Sequence, residues 1–323
     1  MESEPIIQVR ELKTHFYTKR GVGRAVDGVS FDLHRGETLG LVGESGCGKS
    51  MVCLSLMGLN PKPASRVIGG QVLLHGEDLL LKSKTEIRKI RGKVISMILQ
   101  DPMTALNPVF TIGNQLSEPL RIHQKLSGKK LRRRAIELLR MLNIPEPEGR
   151  LASFPHQFSG GMLQRAVGAI ALSCNPEVII GDEPTTSLDV TIQAAYLDLL
   201  KKLQQQFNQA ILLVTHDFGV VSRMCDRVAV MYAGKIVELA QIQPLFDKPA
   251  HPYTEALLRS VPMVDEKVTR LYSIDGQPPS IYEHSLGCAF ASRCSYARDR
   301  CRSESPPSVQ LAPGHTVSCW RYS

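Results

Sequence analysis

The stretch Thr38-Leu-Gly-Leu-Val-Gly43-Glu-Ser-Gly-Cys-Gly-Lys-Ser50 decides the fold of this chain. Thr38 to Val42 is a compact apolar run that breaks into a glycine-rich turn, and a helix is expected from Lys49. Gly43 to Ser50 fits G-x-x-x-x-G-K-[ST], the pattern of a loop that cradles phosphate between a strand and a helix. The glycines let backbone N–H groups approach an anion, and the helix N-terminus adds partial positive charge. Gly43, Glu44, Ser45, Gly46, Cys47, Gly48, Lys49 and Ser50 are therefore candidate nucleotide-binding residues. Lys49 is expected to reach the β/γ-phosphates, and Ser50 to offer its hydroxyl to Mg2+. Cys47, beside Lys49 and a helix N-terminus, is expected to favour its thiolate.

Outward from this loop, Ile6 to Val9 and Val26 to Leu33 alternate apolar and polar residues, as half-buried antiparallel strands do. Val94–Leu99, Val178–Ile180 and Ala210–Thr215 read as buried strands, with a helix from Val190 to about Phe207. Strands alternating with helices imply a parallel sheet covered on both faces. Val178-Ile-Ile-Gly-Asp-Glu183 delivers two carboxylates at a strand's C-terminal end, where open α/β sheets bind ligands. Asp182 suits Mg2+, and Glu183 suits a general base that activates water in line with a γ-phosphate. From Gln100 to about Leu172 the pattern turns helical and proline-punctuated, as an inserted subdomain would. After Glu238 the sequence becomes irregular, Pro-rich and Cys-rich, and reads as a separate appendage.

Composition sets the class. The 323 residues are 43% hydrophobic and 22% charged, which excludes disorder over the whole chain. No run of eighteen apolar residues offers a spanning helix, and the N-terminus lacks a signal-peptide pattern, so a soluble intracellular chain is expected. The net charge of +8 permits anionic partners and selects none. The densest basic run, Lys129-Lys-Leu-Arg-Arg-Arg134, has no interleaved aromatics and reads as a solvated helix face, not a nucleic-acid patch.

Phe158-Ser-Gly-Gly-Met-Leu-Gln-Arg165 resembles the signature of ATP-binding cassette (ABC) ATPases, and Ser187-Leu-Asp189 resembles their D-loop. Gln100 ends a strand as their Q-loop glutamine does, and His216 follows one as their switch histidine does. Gln100-Asp-Pro-Met-Thr-Ala-Leu-Asn-Pro108 and His251-Pro-Tyr-Thr-Glu-Ala-Leu-Leu258 are similar to the dipeptide/oligopeptide importer branch, which includes nickel and glutathione importers. The resemblance implies an α/β fold: a P-loop ABC core with an antiparallel β subdomain, a helical subdomain and a Cys-rich extension. The expected boundaries are 1–100 and 173–240 for the core, 101–172 for the helical part, and 241–323 for the extension.

It also implies ATP and Mg2+ as ligands and assigns roles. Glu183, His216 and Gln100 are catalytic, and Gln100 also joins Ser50 and Asp182 toward Mg2+. Ser159, Gly160, Gly161 and Asp189 meet the nucleotide held by an opposite subunit, and Phe16 (or Tyr17) stacks on adenine. Met162 departs from the glutamine usual in the signature. Implied partners are two permease subunits, a paralogous ATPase and, indirectly, an extracytoplasmic solute-binding protein, at the cytoplasmic face of the inner membrane. A soluble ABC ATPase acting on nucleic acid or ribosomes is the rival, but no long heptad insertion and no second cassette is present. A small-molecule kinase would leave the Ser-Gly-Gly signature without a role.

Cys288, Cys294, Cys301 and Cys319 crowd the last 36 residues. Structural zinc usually uses one short C-x2–4-C pair, which is missing here. Four thiolates on irregular loops suit a [4Fe–4S] cluster, although the spacing matches no ferredoxin pattern. The importer branch carries a similar cysteine set that ligates such a cluster. Zinc and four unliganded thiols remain the alternatives.

Overall fold

The computed structural model describes residues 4–186, 188–261 and 272–323, so Ser187 of the D-loop-like triplet lies outside the described residues. They fall into two compact units, one of His34–Glu37 and Leu81–Leu213, the other of Pro5–Leu33, Thr38–Leu80 and Val214–Ser323.

In the first unit, strands Ile95–Ile98 and Val178–Asp182 run parallel, registered from Ile95↔Val178 to Ile98↔Gly181. Every residue of Val178–Asp182 is buried, the mark of a strand covered on both faces. Helices Ile112–Gln124, Gly128–Met141 and Gly160–Leu172 pack on one another through Leu116, Leu120, Leu131, Leu138 and Leu163. Thr111 starts the first of these by accepting a hydrogen bond from the Asn114 N–H. The basic run lies on Gly128–Met141 as expected. Its Leu131, Ala135 and Leu138 face inward at helical spacing, while Arg133 and Arg134 pair with Glu137 at the surface. Helix Val190–Phe207 begins where Asp189 accepts from the Ile192 N–H, and it buries Tyr196, Leu197, Leu200 and Leu203.

In the second unit, strand Pro5–Thr18 lies between Gly21–His34 and Ser65–Leu74 in a four-stranded sheet that ends at Glu77–Asp78. Thr38–Val42, wholly buried, runs parallel to Arg227–Tyr232, which pairs antiparallel with Lys235–Gln241. Helix Lys49–Leu56 follows the phosphate-type loop directly.

The tail departs from the sequence reading. It is not a detached appendage: the hairpin Ser308–Ala312/His315–Ser318 adds to Lys235–Gln241, with Glu238 opposite Val317. A sheet edge offers unpaired N–H and C=O groups, and this short hairpin covers it. Ser308-Val-Gln-Leu311 alternates polar and apolar residues, but over only four residues, and the sequence reading did not single it out as a strand; most of Ser308–Ala312 is exposed.

Glu238 joins the tail to this sheet. Its carboxylate is 1% exposed and accepts hydrogen bonds from the Ala250 and His251 N–H groups at 2.8 Å each. His315 Nε2 lies 2.9 Å from the same carboxylate. Glu238→Ala leaves these polar groups buried without a partner, which should cost about 3 kcal/mol of stability. Chemical denaturation checks this, and an unchanged midpoint would remove Glu238 from that role.

Candidate nucleotide site

In the second unit the loop Gly43–Ser50 leaves a buried strand and enters its helix through Gly48, at φ 107°, with no side chain capping the helix. The first helical N–H groups therefore have no side-chain partner from the cap, as an anion site requires. Gly43 stands at φ 153°, and a Cβ there would strike the Met231 carbonyl, so the strand-to-loop passage admits only glycine. Ser45, Gly46 and Ser50 are exposed, while Lys49 is buried. The Lys49 ammonium donates to the Gly43 carbonyl at 2.8 Å and the Glu44 carbonyl at 3.0 Å.

One expectation for this loop is corrected, and one of its residues has partners the sequence did not show. Cys47 is 4% exposed, and burial pushes its thiol up despite the neighbouring Lys49 charge, so the thiolate is disfavoured. Glu44 is not a free member of the cradle. Its N–H donates to Tyr253 Oη at 2.8 Å, and its carboxylate accepts a bidentate pair from Arg293 at 2.7 and 2.9 Å.

Phe16 is half-buried on strand Pro5–Thr18. Two residues earlier on the same strand face, Thr14 shares a 2.8 Å hydrogen bond with Ser55 of the helix after the loop. Tyr17, the other aromatic considered, is 44% exposed, with the Arg66 guanidinium 5.6 Å from its ring centre. His216 is exposed at the end of strand Ala210–Thr215. Its turn is fixed by Asp217, whose N–H donates to Thr215 Oγ1 and whose carboxylate caps helix Phe218–Met224.

In the first unit Asp182 ends its strand nearly buried, at 7% exposure. Glu183 follows at φ 48°, a left-handed conformation that residues other than glycine seldom adopt. Gln100 Nε2 donates to Glu183 Oε2 at 2.9 Å, and Thr186 Oγ1 donates to the same oxygen at 3.0 Å. The structure thus brings together Gln100 and Glu183, and it adds Thr186, which the sequence reading did not single out. Ser159 accepts from the Met162 N–H at the start of helix Gly160–Leu172, and Ser159 and Gly160 are exposed there, with Gly161 half-buried. Met162 meets Ser159 through its backbone, a contact that glutamine would make equally well. Asp189 is a helix cap.

The four tail cysteines line one small cavity with His251, Phe290, Tyr296 and Trp320. Burial raises the Cys288, Cys294 and Cys319 thiols, Cys288 to about 11, with neighbouring cysteines adding to the Cys288 shift. Among the described residues, however, no three His, Cys, Asp or Glu side chains are gathered closely enough to hold a metal ion. Four cysteines around one cavity are a donor set of the kind that iron–sulfur clusters take.

Residues 26–186 match the ABC transporter family, and residues 237–301 match the oligopeptide/dipeptide transporter C-terminal region. The chain is 49% identical to the dipeptide transport ATP-binding protein DppD of Bacillus subtilis, over 98% of this chain and 95% of that protein. The chain is an ABC transporter ATP-binding protein. Identity is 48% to a probable peptide ABC transporter ATP-binding protein of Sinorhizobium fredii (99% of this chain, 97% of that protein). It is 44% to DppD of Escherichia coli strain K12 (97% and 96%). A solved dimer of the cassette MJ0796 with ADP and phosphate superposes with TM-score 0.66 at 26% identity, covering 73% of this chain and 98% of that one. The ABC ATPase fold and ATP hydrolysis follow, and the nucleic-acid rival is not favoured. Among the described residues no helix is long and apolar enough to cross a membrane.

Tyr253 and Arg293 were missed as members of the site of this ABC ATPase. The His-Pro-Tyr stretch was visible, but Tyr253 meets Glu44 across 209 residues, which no local pattern encodes. Because burial raises the Cys47 thiol, it should react with maleimide more slowly than free cysteine at pH 7. The rate should rise with pH as thiolate forms and should still be rising where that of free cysteine has levelled off. Comparing labelling at Cys47 with a Cys47→Ser control measures this; a fast reaction at pH 7 would contradict the buried assignment.

Proposed function

We propose that this chain is the ATP-hydrolysing subunit of an importer for dipeptides or oligopeptides, seated at the inner face of the membrane. The observation that carries the catalytic half is Glu183, a strand-end carboxylate held by the Gln100 amide and the Thr186 hydroxyl. In this reading Glu183 accepts the proton of the attacking water, and Gln100 and Thr186 aim its carboxylate. His216, on its capped turn, holds the γ-phosphate and the water. The N–H groups of Ser45 to Lys49 receive the phosphates, with the Lys49 ammonium swinging from loop carbonyls to phosphate oxygens. Phe16 stacks on adenine. Ser50, Asp182 and Gln100 carry the oxygen donors that Mg2+ takes, and that ion when bound neutralises charge on the phosphates.

The peptide half is supported by the matched C-terminal region and by the names of the relatives. Met103, Val109 and Phe110, in the segment after Gln100, are 58%, 71% and 50% exposed and apolar. Such a patch suits docking of a permease. The exposed start of helix Gly160–Leu172 suits a second nucleotide delivered by another ATPase, a paralogue in this reading. In this reading residues 1–100 with 173–240 serve as the nucleotide-binding core, 101–172 as the helical part and 241–323 as the extension. In the extension, Cys288, Cys294, Cys301 and Cys319 would hold a [4Fe–4S] cluster.

Glu183→Gln should retain Mg-ATP binding while hydrolysis falls by about 100-fold or more, since only the base is lost. Lys49→Ala should lose binding itself. Near-normal turnover by Glu183→Gln in the assembled transporter would refute the assignment of the base. For the cysteine site, protein purified without oxygen should be brown, with Trp320 fluorescence quenched and restored when iron is removed. Cys301→Ser should lose the colour. A colourless, iron-free and bright anaerobic sample would end the cluster reading.

A further inference from the structure

Two side chains of the C-terminal region grip the phosphate loop. Arg293 is 4% exposed at its side chain and closes both guanidinium nitrogens on the Glu44 carboxylate, at 2.7 and 2.9 Å. The same guanidinium donates to Tyr232 Oη at 3.2 Å and to the Asp275 and Ile274 carbonyls at 2.9 and 3.3 Å. It is therefore fixed from several directions before it meets Glu44. Tyr253, fully buried, accepts the Glu44 N–H through its hydroxyl. The Tyr232, Tyr253 and Phe290 rings pack on one another at 4.5 to 5.3 Å between centres, which leaves Tyr253 little freedom to move.

The residue so held is the one against which the phosphate lysine rests. Lys49 donates to the Gly43 and Glu44 carbonyls, and the Glu44 peptide is restrained at its N–H by Tyr253 and at its side chain by Arg293. We infer that Arg293 and Tyr253 are positioning residues of the nucleotide site, which hold Glu44 so that the loop and Lys49 are preset for Mg-ATP. The C-terminal region is then a working part of that site, and not only a tail beside it. A bidentate charge-assisted pair from a buried guanidinium is among the stronger restraints a side chain can impose. Tyr253 in turn is placed by His251, whose Nδ1 accepts the Tyr253 N–H and whose own N–H is held by Glu238.

The inference rests on the nucleotide reading of the loop and not on the metal content of the cysteine site. Lys49→Ala tests that underlying reading separately: if it still binds Mg-ATP as wild type does, the loop assignment fails, whatever Arg293 does. For the clamp, the full chain is titrated with a fluorescent ATP analogue and Mg2+, and a thermal melt verifies folding. Arg293→Met should weaken nucleotide affinity about tenfold, and Glu44→Gln should do nearly the same. The double variant should be no weaker than the worse single one, because both changes remove one interaction. Arg293→Lys, which keeps the charge without the fork, should fall between wild type and Arg293→Met. Tyr253→Phe removes the acceptor of the Glu44 N–H, keeps the ring and should also weaken binding. In turnover assays the effect of Arg293→Met should fall mainly on the KM for ATP, with kcat largely kept. Wild-type affinity in folded Arg293→Met, or fully additive losses in the double variant, would overturn the proposal. Should Arg293→Met fail to fold, Glu44→Gln and Tyr253→Phe carry the same test.

Discussion

A helix that starts without a side-chain cap is the constraint on which the site depends. Helix Lys49–Leu56 leaves its first N–H groups to whatever the preceding loop can present, and Gly48 supplies only a left-handed turn. Such groups are costly to bury without a partner, so the loop must stay open at Ser45, Gly46 and Ser50 while its flanks are fixed. The flanks are fixed in different ways. Gly43 is wedged under the Met231 carbonyl of the neighbouring strand, and Glu44 is tied to Tyr253 and Arg293. What remains between is an exposed stretch of loop that ends at an uncapped helix start, where an anion can bind.

Much of this was legible in the sequence, for a physical reason. Thr38–Val42, Val178–Asp182, the loop between Gly43 and Ser50, and helix Val190–Phe207 are local devices: an apolar run, glycines where φ is positive, a cap three residues before the N–H it accepts from. Each is written in adjacent residues. The Asp182–Glu183 pair could be read because strand ends in α/β sheets collect ligands. The environment of a side chain is not written locally. Cys47 sits beside a lysine and a helix start, which argues for a thiolate, yet its burial outweighs both. The C-terminal hairpin was invisible because its first strand is largely exposed and its second is held by pairing to a strand nearly eighty residues earlier. Arg293 and Tyr253 are long-range partners of the same kind.

The His251-Pro-Tyr253 stretch shows how a short motif can be structural and functional together. Pro252 starts the helix Pro252–Arg259, and His251 caps it through Nδ1. That ring can accept only while neutral, and burial lowers its basicity to about 3, so it stays neutral at any ordinary pH. The third residue of the motif then points to the loop that takes phosphate. The buried Glu238 anchors the same corner and ties it to the hairpin. The matched C-terminal region, 237–301, opens one residue before Glu238 and includes Tyr253, Arg293 and three of the tail cysteines, Cys288, Cys294 and Cys301.

Glu183 has a further consequence. At φ 48° an L-residue carries about 1–2 kcal/mol of backbone strain that glycine would not. A chain selected for stability alone would relax at this point and lose its carboxylate. The strand end therefore sets thermodynamic robustness against chemical competence at a single backbone position. Stabilising this protein by design would have to exempt that position, because under the proposed reading of Glu183 a glycine there would relieve the strain and remove the general base.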